Sequence, residues 1–495
     1  MNNNKPYIAK IHSWMVTKGW MYAFLIISLF FYCIISKSNN VILLIIYPLI
    51  PFSLIILSYL FNNYDKAIYY VFTAQFGFTI INNIKNIPLG IVNLCFSILV
   101  IFSIIVYITY KKVDFKNALN FMFYAFTIWS VYCLFEIANP NHVQEAWNIY
   151  IMQYAFYPIF CAIIIPVTIK KIQNIKILLY IWSIFVIIAT IKGIWQKNYG
   201  FNEQELYFLY VLGGAKTHII WSGTRYFSYF TDATNYGVHM GMAITCFSII
   251  ILYLKSKYEK LYFFSVVCFA IYSMLISGTR AAIAVPIIGI LIYIILSANI
   301  KKILIGASFL VGIVLFFMFT SIGSSNPYIY RMRTAFRPTQ DASYQVRNDN
   351  RKKMKELMIT KPFGFGLGLG GKSERFNAKE NNPYPPDSWL ITVWTDTGIV
   401  GLILYLVVHI LLFAKCFHVI NFKINNKLLK GILTSWITVN VGFFVVLYTS
   451  DVMQYPSSII VYTGFALCFA GVHIDKSLAK AEAEKESQEE KSDAV

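Results

Sequence analysis

Charge is what this chain has least of. Only 13% of its 495 residues are Asp, Glu, Lys or Arg, where a soluble chain carries about 25%. Paired cysteines are also missing. Cys33, Cys95, Cys133, Cys161, Cys246, Cys268, Cys416 and Cys468 stand singly, mostly inside apolar runs, with no C-x-x-C. That excludes a disulfide framework or a zinc ribbon and suits small buried apolar side chains. The seven histidines, His12, His142, His218, His239, His409, His418 and His473, show no H-E-x-x-H or other metal spacing, so no metal and no cofactor is expected. No small-residue cleavage site follows the first apolar run, MYAFLIISLFFYCIIS (21–36), which therefore reads as a retained span rather than a signal peptide.

What the chain does have is apolar length. Hydrophobic residues make up 58% of it, in runs of roughly 17–25, enough to cross a hydrocarbon core of about 30 Å. The expectation is an all-α polytopic membrane protein of about 14 spans (12–14). They fall near 21–36, 41–61, 66–81, 88–110, 117–138, 149–168, 176–196, 234–254, 261–276, 281–297, 303–320, 388–414, 428–449 and 456–472.

Lysine placement orients these spans. Alternate connections, beginning with the N-terminus, hold 19 lysines, while the short opposite ones hold only Lys37, Lys85 and Arg280. Positive charge marks the cytoplasmic side, so both termini are expected inside. Residues 1–474 form one membrane domain and 475–495 a charged cytoplasmic tail, disordered or helical. The long segment 321–387 then faces outward. Its 12 Lys and Arg against five Asp and Glu up to residue 386 do not reverse the orientation, because loops beyond about 60 residues translocate largely regardless of charge. The net charge of +19 is a matter of distribution in such a protein, and no nucleic-acid partner is expected.

Within the outward segment, Gly366 to Ser373 fits G-x-x-x-x-G-K-[ST], the phosphate-cradling loop. The context is wrong for it. The preceding RNDNRKKMKELMITKP is charged, with Met354, Leu357 and Met358 at helical spacing, and the following ERFNAKENNPYPP opens a helix poorly. ATP is also scarce outside the cytoplasm, so the match is read as chance. The glycines remain open to two readings: an anion nest of successive N–H groups, or a flexible connection to the next membrane helix.

Candidate chemistry sits at the outer boundary. Arg225 lies in GTRYFSYFTDATNYG (223–237) and Arg280 in SGTR (277–280), both in frames of Ser, Gly and Thr. Arg331, Arg333 and Arg337 follow in YRMRTAFRP, and Arg347 in DASYQVR. A guanidinium matches phosphate oxygens bidentately, so a lipid-linked phosphate or diphosphate suits this set; a lone boundary arginine could instead snorkel to headgroups. Ser277 and Ser388 offer hydroxyls beside these charges. Asp387, in NNPYPPDSWLITVWTDTGIVGL (381–402), either caps the following helix or accepts a proton from an attacking hydroxyl. Asp396 lies deeper on that helix, as a buried hydrogen-bond partner. His142 is the one histidine placed outward.

Taken in order, EIANPNH, IKGIWQKNYGF (191–201), GTRYFSYFTDATNYG, SGTRAA, RMRTAFRPTQDASYQVR, KPFGFGLGLG and PPDSWLITVWTDTGIVGL resemble the O-antigen ligase and polysaccharide polymerase family of bacterial envelopes, over about 130–410. The resemblance implies an inverting glycosyltransferase of the inner membrane, independent of metal and nucleotide. It would take a glycan from an undecaprenyl-diphosphate carrier at the outer face and pass it to lipid A-core or to another lipid-linked repeat. It implies that Arg225 and Arg280 bind the diphosphate and that Arg331, Arg333 and Arg347 handle substrate. Ligases usually carry a histidine just before the final long helix; this chain has Asp387-Ser388 there. A rival of another class is a flippase for lipid-linked oligosaccharide, which should carry charge through the bilayer depth. Here the ionisable residues gather at the outer boundary, Lys192 excepted.

Overall fold

The computed structural model describes residues 63–85, 99–100, 102–107, 109–110, 115–220, 223–297, 300–334, 336, 342–371, 376–384 and 386–493. The spans expected at 21–36 and 41–61, most of that at 88–110, and Arg337, Lys372 and Ser373 lie outside the described residues. The chain divides into two compact units, 1–67 and 68–495. Of the first, only the end is described, a 3-10 turn at Tyr64–Lys66.

The second unit is mainly helical in its described length, with one small hairpin and irregular connections such as 225–232 and 361–371. After α1 (Ala67–Lys85) come α2 (Phe121–Phe135) and α3 (Gln144–Ile151). A π turn at Met152–Phe156 joins α3 to α4 (Tyr157–Thr168). Next is α5 (Ile172–Tyr199). A surface segment follows, with α6 (Glu203–Tyr210), α7 (Ala215–His218) and the hairpin β1 (Ile219–Ile220) and β2 (Gly223–Thr224). The chain returns through α8 (Ala233–Ile251), α9 (Lys257–Ile276), α10 (Ala284–Leu296) and α11 (Ile300–Phe319). The long connection carries α12 (Pro327–Thr334) and α13 (Ala342–Met358). The last helices are α14 (Trp389–Phe422), α15 (Lys427–Val446) and α16 (Ser457–Asp493).

Among the described residues, eight helices are long and apolar enough to cross a membrane, and α10 with the turn before it is a shorter apolar run. Helices therefore stand where the apolar runs predict them from 117 onward. Their starts follow small polar residues. Asn120, Asn202, Asp232, Ser256 and Asn426 each accept a backbone N–H of the first turn, supplying an acceptor that the helix itself lacks.

The bundle core is aromatic and tight. Trp182 of α5 lies 5.1 Å from the Phe247 ring of α8 and 5.4 Å from that of Trp436 on α15. Small residues let α10 in between. A methyl at Gly241 would fall 2.7 Å from the Ala282 carbonyl, and one at Gly442 2.5 Å from that of Val285. Close backbone approach of this kind replaces the hydrophobic drive that lipid removes.

The tail is helical as far as Asp493, continuing α16 without a break. At its root the buried Asp475 accepts the N–H groups of Asn425 and Asn426, at 3.1 Å and 2.9 Å, and so pins the turn into α15.

Candidate functional site

Three arginines converge on the tight turn between α9 and α10. Gly278 takes φ +58° there, and a methyl on it would sit 3.3 Å from both Arg225 Cγ and Arg331 Cδ. Arg280 begins the turn after it and donates Nη1 to Thr334 Oγ1 of α12 at 3.5 Å. Thus the 223–237 segment, the turn and the long connection meet at one end of the bundle.

Arg225 is the most thoroughly held. Its Nε donates to Ser277 O (3.2 Å), Nη1 to Thr217 O (3.0 Å), and Nη2 to Thr279 Oγ1 (2.9 Å) and Thr234 Oγ1 (3.3 Å). Little of its fork is left for a ligand. Burial pushes its guanidinium down to about 10, against the opposing pull of Asp232; the charges of Arg280 and Arg347 add to the lowering. It stays charged at neutral pH, and several like charges bear on one place. An anion entering there would relieve that repulsion.

Ser277 is spent within the turn, donating to Met274 O at 2.7 Å and accepting from Thr279 N at 3.2 Å. Arg333 turns the other way. Its guanidinium donates to the carbonyls of Phe316, Phe317, Thr320 and Ile322, closing the C-terminal end of α11 as a basic side chain does.

Asp387 lies at a second basic cluster. Its carboxylate is 3.8 Å from Arg347 Nε, with side chains 39% and 40% exposed respectively. A small cleft beside it is lined by Arg347, Asn350, Arg351, Met354, Asp387 and Ile391. Arg347 Nη1 donates to Thr449 O at 3.2 Å and Arg351 Nη2 to Tyr448 O at 2.7 Å. Arg351 also lies over the Tyr448 ring, 4.4 Å from its centroid.

Ser388, not Asp387, caps α14: it is buried, and its side chain accepts the Ile391 N–H at 3.3 Å. The Trp389 and Leu390 N–H groups are met by Ser450 O and Leu447 O, each at 3.2 Å. The capping alternative therefore falls to Ser388 and leaves Asp387 facing the cleft. Ser388→Ala should destabilise the fold by about 1 kcal/mol, while Asp387→Ala leaves stability nearly unchanged; thermal unfolding of the two purified variants in detergent checks this.

The glycine stretch FGFGLGLGG (363–371) crosses α14 where that helix breaks. Phe365 N donates to Thr395 O (2.8 Å) and Gly366 N to Asp396 O (3.0 Å). Gly368 N and Gly370 N reach the Asp396 carboxylate at 3.0 Å and 2.7 Å, and Tyr154 OH completes it at 2.9 Å. The nest therefore holds a carboxyl group, and that group is the protein's own. Phe365 to Gly370 are buried, and Phe365 and Leu369 pack on Met354 and Met358 of α13. A flexible connection is thereby overturned. With its donors engaged by Asp396, the stretch offers nucleotide no cradle, and MgATP should leave the thermal midpoint of the purified protein unchanged.

Around this saddle, Asn141 ties both strands of the connection. Its Nδ2 donates to Phe365 O and Glu380 O, each at 3.0 Å, and its Oδ1 accepts Glu380 N at 2.9 Å. His142 contacts Gln144 at 3.2 Å and meets the Trp147 ring edge-on. Lys192 is paired with Glu205 at 2.9 Å, which accounts for its place in an apolar helix.

Sequence reasoning missed Arg351, the carbonyls at 448 and 449, and the break at Gly398. Arg351 stands in a run of charge, and carbonyls carry no residue signature. Gly398 had a usable signal, a T-D-T-G in the first part of a membrane helix.

Fold and site together define a polytopic α-helical membrane protein with a basic cluster at one bundle end. Residues 264–406 match the family model described as O-antigen ligase. The matched region runs from α9 into α14 and includes Arg280, Arg331, Arg347, Asp387 and the glycine saddle. No curated protein matches the chain. The match supports a role at a membrane in O-antigen or polysaccharide biosynthesis.

Proposed function

We propose that this protein transfers a glycan from an undecaprenyl-diphosphate-linked donor to an acceptor sugar at the outer face of the bacterial inner membrane. The observation that carries the reading is the convergence of Arg225, Arg280 and Arg331 on one turn, at a bundle end that also presents Asp387 uncapped beside Arg347. The alternation of lysine-rich connections supports the outward placement of that end.

In the reaction the acceptor hydroxyl oxygen attacks the anomeric carbon from the face opposite the diphosphate. The bond from that carbon to the diphosphate oxygen breaks, and undecaprenyl diphosphate leaves with the electron pair. The hydroxyl proton passes to Asp387. Arg280 and Arg331 meet the charge growing on the leaving oxygen; Arg225 chiefly holds the turn in shape, with Ser277 and Ser388 in the same supporting role. Arg347 and Arg351 line the approach of the acceptor. The lipid diphosphate is itself the leaving group, so the step consumes no nucleotide and calls on no metal ligand.

Deleting the gene and sizing the cell's lipid-linked and surface glycans tests this. Long chains stranded on the carrier identify a ligase; single repeats without long chains identify a polymerase, a reading that Asp387 in the usual histidine position favours. Unchanged glycans sink the proposal, and glycan-bearing carrier trapped on the cytoplasmic face would turn it toward a flippase. In membranes, Asp387→Asn should slow transfer by about 10²–10⁴-fold, the range of a lost general base.

A further inference from the structure

We infer that residues 203–219 form a wedge seated in the membrane surface, its outer face covered by lipid. The segment is apolar on both sides. Inward, Phe208, Leu209 and Ala215 pack with Phe201, Phe227 and Ala233. Outward, Tyr210, Val211 and Leu212 at the tip are 67%, 63% and 62% exposed, with Leu206, Tyr207 and Ile219 exposed beside them. A contiguous exposed apolar patch marks a contact surface.

Lipid is the occupant because the patch continues a lipid-facing row. Helix α5 has 28 residues, enough to cross a bilayer, and it exposes Ile184, Ile188, Ile191, Trp195 and Tyr199. Trp195 and Tyr199 pair at 4.6 Å near its end, where amphipathic rings settle at headgroup level. The chain turns at Gly200, φ +91°, and α6 starts three residues later. The polar flanks fit the same placement: Glu203 and Gln204 at one end and Lys216 at the other are exposed, as in a helix lying in an interface.

The seating matters because the wedge grips Arg225. His218 O accepts the Arg225 backbone N–H at 2.8 Å, and Thr217 O accepts Nη1 at 3.0 Å. The depth of the wedge in the leaflet thereby sets the depth at which Arg225 and its neighbours meet a membrane-borne anion. The seating itself does not depend on the proposed transfer reaction.

The test places an environment-sensitive fluorophore on full-length protein carrying Leu212→Cys or Tyr207→Cys, in vesicles of phosphatidylethanolamine and phosphatidylglycerol. Ile184→Cys serves as the lipid reference and Lys352→Cys as the water reference. Cys268, the exposed cysteine among those described, is changed to Ser throughout, and the parent protein is labelled in parallel to subtract any remaining background. The expected result is that doxyl-labelled lipid quenches Leu212 and Tyr207 labels as strongly as the Ile184 label, while iodide spares them. Quenching by iodide to the level of the Lys352 label would overturn the proposal. So would protection from both quenchers, which would mean that protein, a second copy or a partner, covers the face.

Discussion

Gly398→Ala should abolish accumulation of folded protein, the largest effect expected of a methyl added at any glycine among the described residues. Gly398 has φ +68°, and an added Cβ would stand 1.9 Å from the Pro362 carbonyl oxygen. With ψ −173° its backbone lies in a region open essentially to glycine alone, which costs an alanine about 1–3 kcal/mol. The greater cost comes from lifting the glycine stretch off α14, which breaks the bonds to Thr395 and Asp396 and exposes Phe365 and Leu369. A total of about 5 kcal/mol is at the top of the range for one substitution. Gly312→Ala in α11 is the matched control, since an added methyl there meets nothing within 4 Å. It should be neutral or slightly stabilising. Fluorescence-detected size exclusion on the two variants measures this, and a monodisperse Gly398→Ala peak at parental yield would show that the saddle is not needed for folding.

Arg225 should be the arginine whose loss costs stability as well as activity. Removing it leaves Thr217 O, Ser277 O and two threonine hydroxyls without their charged donor, a loss of about 2–4 kcal/mol at charge-assisted hydrogen bonds. Arg225→Lys should not rescue it, because an ammonium on a flexible stem cannot span acceptors on three separate segments. Arg280→Ala is expected to lower glycan transfer at least 10²-fold, and its thermal midpoint set beside that of Arg225→Ala separates a ligand-facing arginine from a holding one. Equal midpoints for the two alanine variants would remove the distinction between a holding and a ligand-facing arginine.

The helices from residue 117 onward were legible because lipid imposes a simple code of length and hydropathy. Arg280 was legible as a charge at a turn too short to hide it. Arg333 was not separable from Arg331 two residues away, yet one seals α11 and the other meets Arg225 across Gly278. Their directions are set by the phase of α12, and neighbouring residues on a helix point apart. Asp387 and Ser388 exchanged an expected role for the same kind of reason: one residue of register decides which side chain can reach the Ile391 N–H. The glycine stretch was readable as a nest but not as an occupied one, since its guest lies 26 to 28 residues onward, at Asp396.

The long connection is grasped at both ends by contacts that α13's exposed face does not share. Arg333 fastens the entry by backbone carbonyls of α11, and the exit is fastened backbone to backbone across Gly398. Such fasteners make the intervening surface interchangeable. On the proposed transferase reading, the exposed positions of α13 other than Arg347 and Arg351 can be rewritten without renegotiating the frame. Chimaeras that vary 342–353 while keeping those two arginines and both clasps are the natural test of altered acceptor choice.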